Sequence, residues 1–455
     1  MTWFESYLSN RFQRVVISGQ TSQWMHVLAG VPQGSVLGPI LFLVYINDII
    51  NNIQSDIFLF ADDTSLLKTV DDPTLCADIV NHDLHTLENW AKTWLVSFNP
   101  KKTESITFST KTHSNYHPPL RFCDEVVKHV PSHTHLGLTL TANLSWGKHI
   151  TEMITKANKK VNLLSRLKFQ LDYKLLKTIY ISCIRPLLEY SDIVWDNCTE
   201  QESKSIEQIQ NRCARFISGA MKGTANSKML FEAGLESLSS RRDTHKLLLM
   251  HKIINQQTPR YLNSLLPITV NTRAKYPLRN STDLSLIKCN TDRFQKSFFP
   301  STVRLWNQLP DPVKTSTRTV LKSYLVKHTR PNPPKYYRVG QRYPCVLLSR
   351  IRMDFCALNS FLYKRNLINS PICSCGTAEE DVAHYFLHCP KFSPIRINFL
   401  TQLNRITDIS NLSTRHLTNL IIFGSPNFSY SENTSILINS MNYITATSRF
   451  SHNPV

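Results

Sequence analysis

The chain reads as an α+β protein, and three observations predict this. An acidic pair, Asp62-Asp63, sits between the apolar runs 57–61 and 66–67, the pattern of a β-hairpin with carboxylates at its tip. Long stretches after it carry apolar residues at helical spacing. Cysteines and histidines then gather between positions 373 and 389. The expected order is an antiparallel sheet with helices, a helical bundle, and a small Cys/His module.

Residues 3–11 read as a helix end, followed by a hairpin. The block Gly30-Val31-Pro32-Gln33-Gly34-Ser35-Val36-Leu37-Gly38-Pro39 spaces three glycines four residues apart, and glycine lets backbone approach a partner closely. Pro39 suits a first helical turn, and the helix runs through Ile40, Leu41, Val44 and Tyr45 toward Asn47-Asp48. Leu75, Ile79, Leu84, Leu87, Trp90, Ala91 and Trp94 put a helix over 73–94. Asn99-Pro100-Lys101-Lys102-Thr103-Glu104 then leads into an alternating strand, 105–109, and His135-Leu136-Gly137-Leu138 begins a second hairpin. From Ile150 an apolar stripe of Ile154, Ala157, Val161, Leu164 and Leu167 faces away from Lys156, Lys159, Lys160, Arg166 and Lys168, which defines an amphipathic helix. Helices are placed over 173–190, kinked or ended at Pro186, and over 201–218. Residues 221–345 read as a connector of short helices that ends in a proline-dense linker at 330–335.

Lys and Arg total 52 against 33 acidic residues, a formal charge of +19. That balance suits phosphate binding, which rests on clustered cations, although a basic surface also serves plain solubility. No apolar run is long enough for a transmembrane helix, and the N-terminus lacks a signal-peptide pattern. The eleven cysteines are odd in number and mostly scattered, which argues against a disulfide framework and for a reducing, intracellular setting, cytoplasmic or nuclear.

The Gly-Val-Pro-Gln-Gly block followed by Phe60-Ala61-Asp62-Asp63 resembles two polymerase motifs of the reverse transcriptases of non-LTR, LINE-type, jockey-like retrotransposons. The resemblance implies an RNA-directed DNA polymerase working by two-metal nucleotidyl transfer, with Asp62 and Asp63 as ligands of Mg2+ or Mn2+. It implies that Pro32, Gln33, Gly34 and Phe60 lie at the template and incoming nucleotide. By itself an Asp-Asp pair is also ordinary turn chemistry. Asn99-x-x-Lys102-Thr103 is similar to a further motif and makes Lys102 a candidate for screening the pyrophosphate; a solvated turn lysine is the alternative. Lys156, Lys159 and Lys160 fall where a helical thumb would follow the template–primer backbone, though such charges are often only solvated. The family takes its first metal-binding Asp from a strand upstream of the glycine block, where this chain has only Glu5 as a carboxylate. The expectation is therefore an N-terminally truncated enzyme, inactive alone. A non-catalytic RNA- or DNA-binding protein, or a degraded reading frame, is the alternative.

Cys373-x-Cys375, His384 and Cys389 offer three thiolates and one imidazole, a donor set suited to tetrahedral Zn2+. His388 competes with His384 but adjoins Cys389, which makes joint ligation awkward. Unmetallated cysteines are the alternative. A helix over 350–366 would present Arg350, Arg352, Lys364 and Arg365 to RNA or target DNA. The aromatics Phe294, Phe298, Phe299 and Trp306 either stack on bases or pack. The resulting division is a partial palm at 1–148, a thumb at 149–220, the connector at 221–345, a zinc-knuckle-like module at 346–400, and a polar tail at 401–455 without assigned chemistry. The implied partners are an RNA template and a DNA primer or target, with no membrane.

Overall fold

The computed structural model describes residues 2–69, 71–109, 117–270 and 282–451. Residues 271–281 of the connector and 452–455 of the tail lie outside the described residues. The chain divides into two compact units, 1–145 and 146–455, so the helices expected at 150–218, the Cys/His module and the stretch after 400 belong to one unit.

In the first unit the helix Pro73–Trp94 is the organising element. Asp72 caps it by accepting from the Thr74 N–H at 2.8 Å, Pro73 occupies its first turn, and Leu95 ends it with φ 56°. Ala77, Leu84 and Leu87 on one face bury against Ile46, Ile49, Leu120 and Phe122. The single antiparallel sheet expected from the sequence is not formed. Among the described residues this unit contains six separate two-stranded ladders, five antiparallel and one parallel. The strand expected at 105–109 is reduced to Glu104–Ser105, which pairs in parallel with Lys128–His129. Alternation sets which face a residue would take, but a ladder needs a strand beside it.

The second unit is helical. Gly147–Leu167 packs Ala157, Val161 and Leu164 against Glu200–Ser218, which opens on a reciprocal capping box between Thr199 and Glu202. The helix expected at 173–190 is broken into Tyr173–Ile179, a π turn at Tyr180–Ile184, and Arg185–Glu189. Pro186 has no N–H to continue an ordinary ladder, and the wider turn absorbs the mismatch. The connector holds a longer helix than expected, Leu238–Ile254. Three of its four named aromatics pack: Trp306 is buried beside Val303, with Phe298 and Phe299 against them, while Phe294 is exposed.

Two further expectations are corrected. The proline-dense segment is no free linker, because Pro333 is buried and leads into the buried Tyr337. The stretch after 400 is no tail: it forms Ser393–Ile406, Thr414–Phe423 and Tyr430–Ala446, whose Leu403, Ile421, Ile436 and Tyr443 surround Tyr385 and Phe386. Asn433 and Ser440 of this stretch are inside and partnered. The Asn433 side chain accepts from the Ser425 N–H at 2.7 Å and donates to the Ser425 and Phe428 carbonyls, and the Ser440 hydroxyl donates to the Ile421 carbonyl at 2.9 Å. Buried polar groups with partners cost little, so a polar composition did not prevent a core.

Candidate active site and metal centre

The acidic hairpin is five residues a side, Asp56–Phe60 against Asp63–Leu67, with Phe60 opposite Asp63. Ala61 and Asp62 form its two-residue turn, and Ala61 takes the left-handed φ of 52° that such turns favour. Asp62, Asp63 and Phe60 are all exposed at this end. The base of the hairpin is held from Pro73–Trp94: the buried Asp83 carboxylate accepts from the Gln54 and Ser55 N–H groups, each at 2.8 Å. Burial raises the Asp83 carboxyl, yet these hydrogen bonds prevail and hold it below its ordinary value. On the same helix Trp90 and Trp94 donate to Asp48 at 2.7 and 3.1 Å, which fixes the end of the helix Gly38–Ile46 and the short turn after it. Sequence reasoning missed both anchors. A carboxylate on the apolar side of the helix, Asp83 beside Leu84 and Leu87, was the available signal.

In the glycine block the Ser35 N–H donates to the Pro32 carbonyl at 3.2 Å across a turn, with Gly34 at φ 81°. A Cβ on Gly34 would meet nothing within 4 Å, so the backbone angle, not space, calls for glycine. Gln33 is exposed and Pro32 half-buried.

The C-terminal module draws Cys373, Cys375, His384 and Cys389 together, their donor atoms all within 4.8 Å of one another. Cys373 Sγ lies 3.8 Å from Cys389 Sγ, and Cys375 Sγ lies 3.3 Å from His384 Nε2. Two backbone devices make this geometry. The Gly376 N–H closes on the Cys373 carbonyl at 2.8 Å with Gly376 at φ 77°, which folds the Cys-x-Cys segment back on itself. A π turn, His384–His388, lets the Cys389 N–H donate to the His384 carbonyl at 2.7 Å, so residues five apart reach one point while His388 faces solvent. Burial raises the Cys373 thiol, whereas the hydrogen bond from Thr377 lowers that of Cys375. Behind the cluster Glu380 is buried, accepts from Arg449 Nε and Nη2 at 2.6 Å each, and approaches Cys373 Sγ at 3.8 Å. The Glu380–Arg449 pair was not legible in the sequence, since its members stand 69 residues apart.

Residues 1–164 match the family model for reverse transcriptase (RNA-dependent DNA polymerase). Over 295 residues the chain is 29% identical to a probable RNA-directed DNA polymerase from transposon X-element of Drosophila melanogaster, covering 59% of this chain and 32% of that protein. It is 30% identical over 229 residues to the RNA-directed DNA polymerase from mobile element jockey of the same species, covering 48% of this chain and 25% of that one. Residues 1–164 thus carry reverse-transcriptase sequence, and the chain is similar to the RNA-directed DNA polymerases of non-LTR retrotransposons. The likeness continues past the matched domain: a retrovirus-related Pol polyprotein from type-1 retrotransposable element R1 of Bradysia coprophila is 21% identical over 383 residues, which is 81% of this chain and 35% of that protein. The chain thus spans between 25% and 35% of the length of these relatives.

Within this chain the expected site residues fall into separate groups. Among the described residues the Cys/His cluster is the one gathering of three or more metal-ligating side chains, and Asp62 and Asp63 are joined by no third such group. Lys102 lies exposed on the short turn Pro100–Lys102. Lys156 and Lys159 are exposed on Gly147–Leu167, but Lys160 donates to the Cys183 carbonyl at 3.0 Å and is already engaged. The nucleic-acid reading of 350–366 is corrected. The helix is Arg342–Arg352, separate from Asn359–Tyr363, and both of its last arginines point inward. Arg350 Nε donates to the Gly219 carbonyl at 2.8 Å, and Arg352 forms a buried ion pair with Glu232 beneath the Tyr337 ring. Arg365 lies 4.0 Å over the Phe355 ring, and both it and Lys364 are exposed.

Proposed function

We propose that this chain handles an RNA template and a DNA primer as part of a retrotransposon polymerase, and does not extend a primer by itself. The observation that supports the first half is the exposed Asp62-Asp63 turn set within residues that match the reverse-transcriptase family. Adjacent carboxylates supply the hard oxygen donors that Mg2+ or Mn2+ takes, and Asp62 and Asp63 are the residues that would hold such an ion. In a polymerase the ion activates the attacking hydroxyl and neutralises the leaving pyrophosphate. Among the described residues Asp62 and Asp63 are joined by no third ligand, a partial site that favours binding over turnover. Primer extension on poly(A) with oligo(dT) and either metal tests this. Background-level synthesis is expected, whereas robust extension that vanishes in Asp62→Ala would establish a self-sufficient polymerase.

We further infer that Cys373, Cys375, His384 and Cys389 hold one Zn2+, since three thiolates and an imidazole this close suit a closed tetrahedral site. Substituting Co2+ should give thiolate charge-transfer bands that weaken in His384→Ala and persist in His388→Ala; the reverse ranking would reassign the ligand. Among the described residues no helix is long and apolar enough to cross a membrane. All eleven cysteines are unpaired, which favours a reducing intracellular compartment.

A further inference from the structure

A cavity of about 340 Å³ opens in the helical unit where Gly147–Leu167, the end of Glu200–Ser218 and the start of Arg342–Arg352 converge. Its volume falls within the roughly 300–1,000 Å³ of small-ligand pockets. Four cations, Lys168, Arg215, Arg342 and Arg350, line it, and among the described residues no carboxylate does. Two of them are committed to the fold: Arg342 donates to the Phe216 and Ile217 carbonyls at 2.6 and 3.1 Å, and Arg350 to that of Gly219, so they satisfy the open end of the helix. That leaves Lys168 and Arg215 to meet a ligand. Arg215 Nε is buried with no hydrogen-bond partner among the described residues, a cost that an incoming anion would relieve.

The apolar side of the cavity is aromatic. Phe169 is 60% and Tyr343 41% exposed, and both present ring surface, while Lys168 Nζ sits 4.4 Å above the Phe169 ring. The Tyr343 hydroxyl donates to the Phe450 carbonyl at 3.2 Å, which holds that ring in place. Gly219 makes the close approach possible. It has φ 71°, and a Cβ there would come within 2.5 Å of Val346. Cations without carboxylates beside exposed rings match a phosphate joined to a flat π-system. The space admits one nucleotide and excludes a duplex, whose bases are stacked inside.

We propose that this cavity binds one unpaired nucleotide of a single-stranded nucleic acid, with the base against Phe169 and Tyr343 and the phosphate on Lys168 and Arg215. The choice of ligand rests on the nucleic-acid reading above; the site itself is separate from the acidic hairpin. The test uses the full chain and fluorescence anisotropy with short labelled oligouridylate, oligothymidylate and a blunt RNA hairpin. Phe169→Ala and Arg215→Gln should each weaken both single strands on the order of tenfold. Phe169→Trp should restore affinity, and hairpin binding should stay within about twofold throughout. A 2-aminopurine base in the strand should be quenched by the wild type and not by Phe169→Ala. Unchanged single-strand affinity in Phe169→Ala, equal losses on the hairpin, or full competition by inorganic phosphate would each overturn the pocket while leaving the broader reading intact. Wild-type protein that binds neither single strand nor hairpin would remove both. Circular dichroism matching the wild type shows that each variant is folded.

Discussion

Residues 1–145 and 146–455 are built on opposite principles. In the first unit, turns, caps and one small core around Pro73–Trp94 specify the elements, and much apolar surface stays in water: Leu28 is 88%, Val36 87% and Leu95 91% exposed. Its strands run from two to five residues, and isolated two-stranded ladders are marginal in water. In the second unit Val161, Ile184, Leu188, Trp195, Ile206 and Ile217 have no exposed surface, and burial of each large side chain contributes about 1.5–3 kcal/mol. Local hydrogen bonding can therefore draw an element without stabilising it, while burial makes helices interdependent. The first unit should exchange its amide protons broadly, and the second should protect the helices Gly147–Leu167 and Glu200–Ser218 together.

The largest effect is expected at the cluster. Cys389→Ser should abolish the Co2+ thiolate bands and cost the second unit its C-terminal core, because structural Zn2+ contributes on the order of 10 kcal/mol or more. Amide exchange in the first unit should stay unchanged; wild-type melting of the second unit would show that the thiols are only buried apolar groups. Next comes Arg352→Ala, which strands the buried Glu232 charge and should cost about 3–5 kcal/mol in chemical denaturation. A loss below 1 kcal/mol would mean that water reaches the pair.

Asp83→Asn acts in the first unit and should cost about 1–3 kcal/mol, since an amide cannot accept both N–H bonds equally well. The folded carboxyl sits below its ordinary value of 3.8. Its stabilisation is therefore complete above pH about 4 and is lost as pH falls through the lower, folded value. Local exchange near Ser55 should speed up in acid for the wild type and show no such step in Asp83→Asn. The smallest effect on stability belongs to Lys156→Gln with Lys159→Gln, two exposed changes. Melting should not move, while the salt slope of RNA binding should fall by about 2. An unchanged slope would place the nucleic acid elsewhere.

Much of the fold was legible from the sequence because its signals are short-range. The helix Pro73–Trp94 was readable from its apolar spacing, the hairpin Asp56–Leu67 from two apolar runs around Asp62-Asp63, and the four clustered ligands from their spacing. Each signal acts within a few residues, through a cap, a turn or a periodic face.

What the sequence alone determined was local: where helices and hairpins begin, which faces are apolar, and which residues carry metal-binding chemistry. The tertiary structure decided what those faces and charges meet. It turned Arg350 and Arg352 from presumed nucleic-acid contacts into internal ones, and it built the Asn- and Ser-rich stretch after 400 into a core. It left the short strands of the first unit as separate ladders. The reason is range. Arg352 meets Glu232 across 120 positions and Arg449 meets Glu380 across 69, and burial of a charge or an amide depends on such distant partners, which no local pattern encodes.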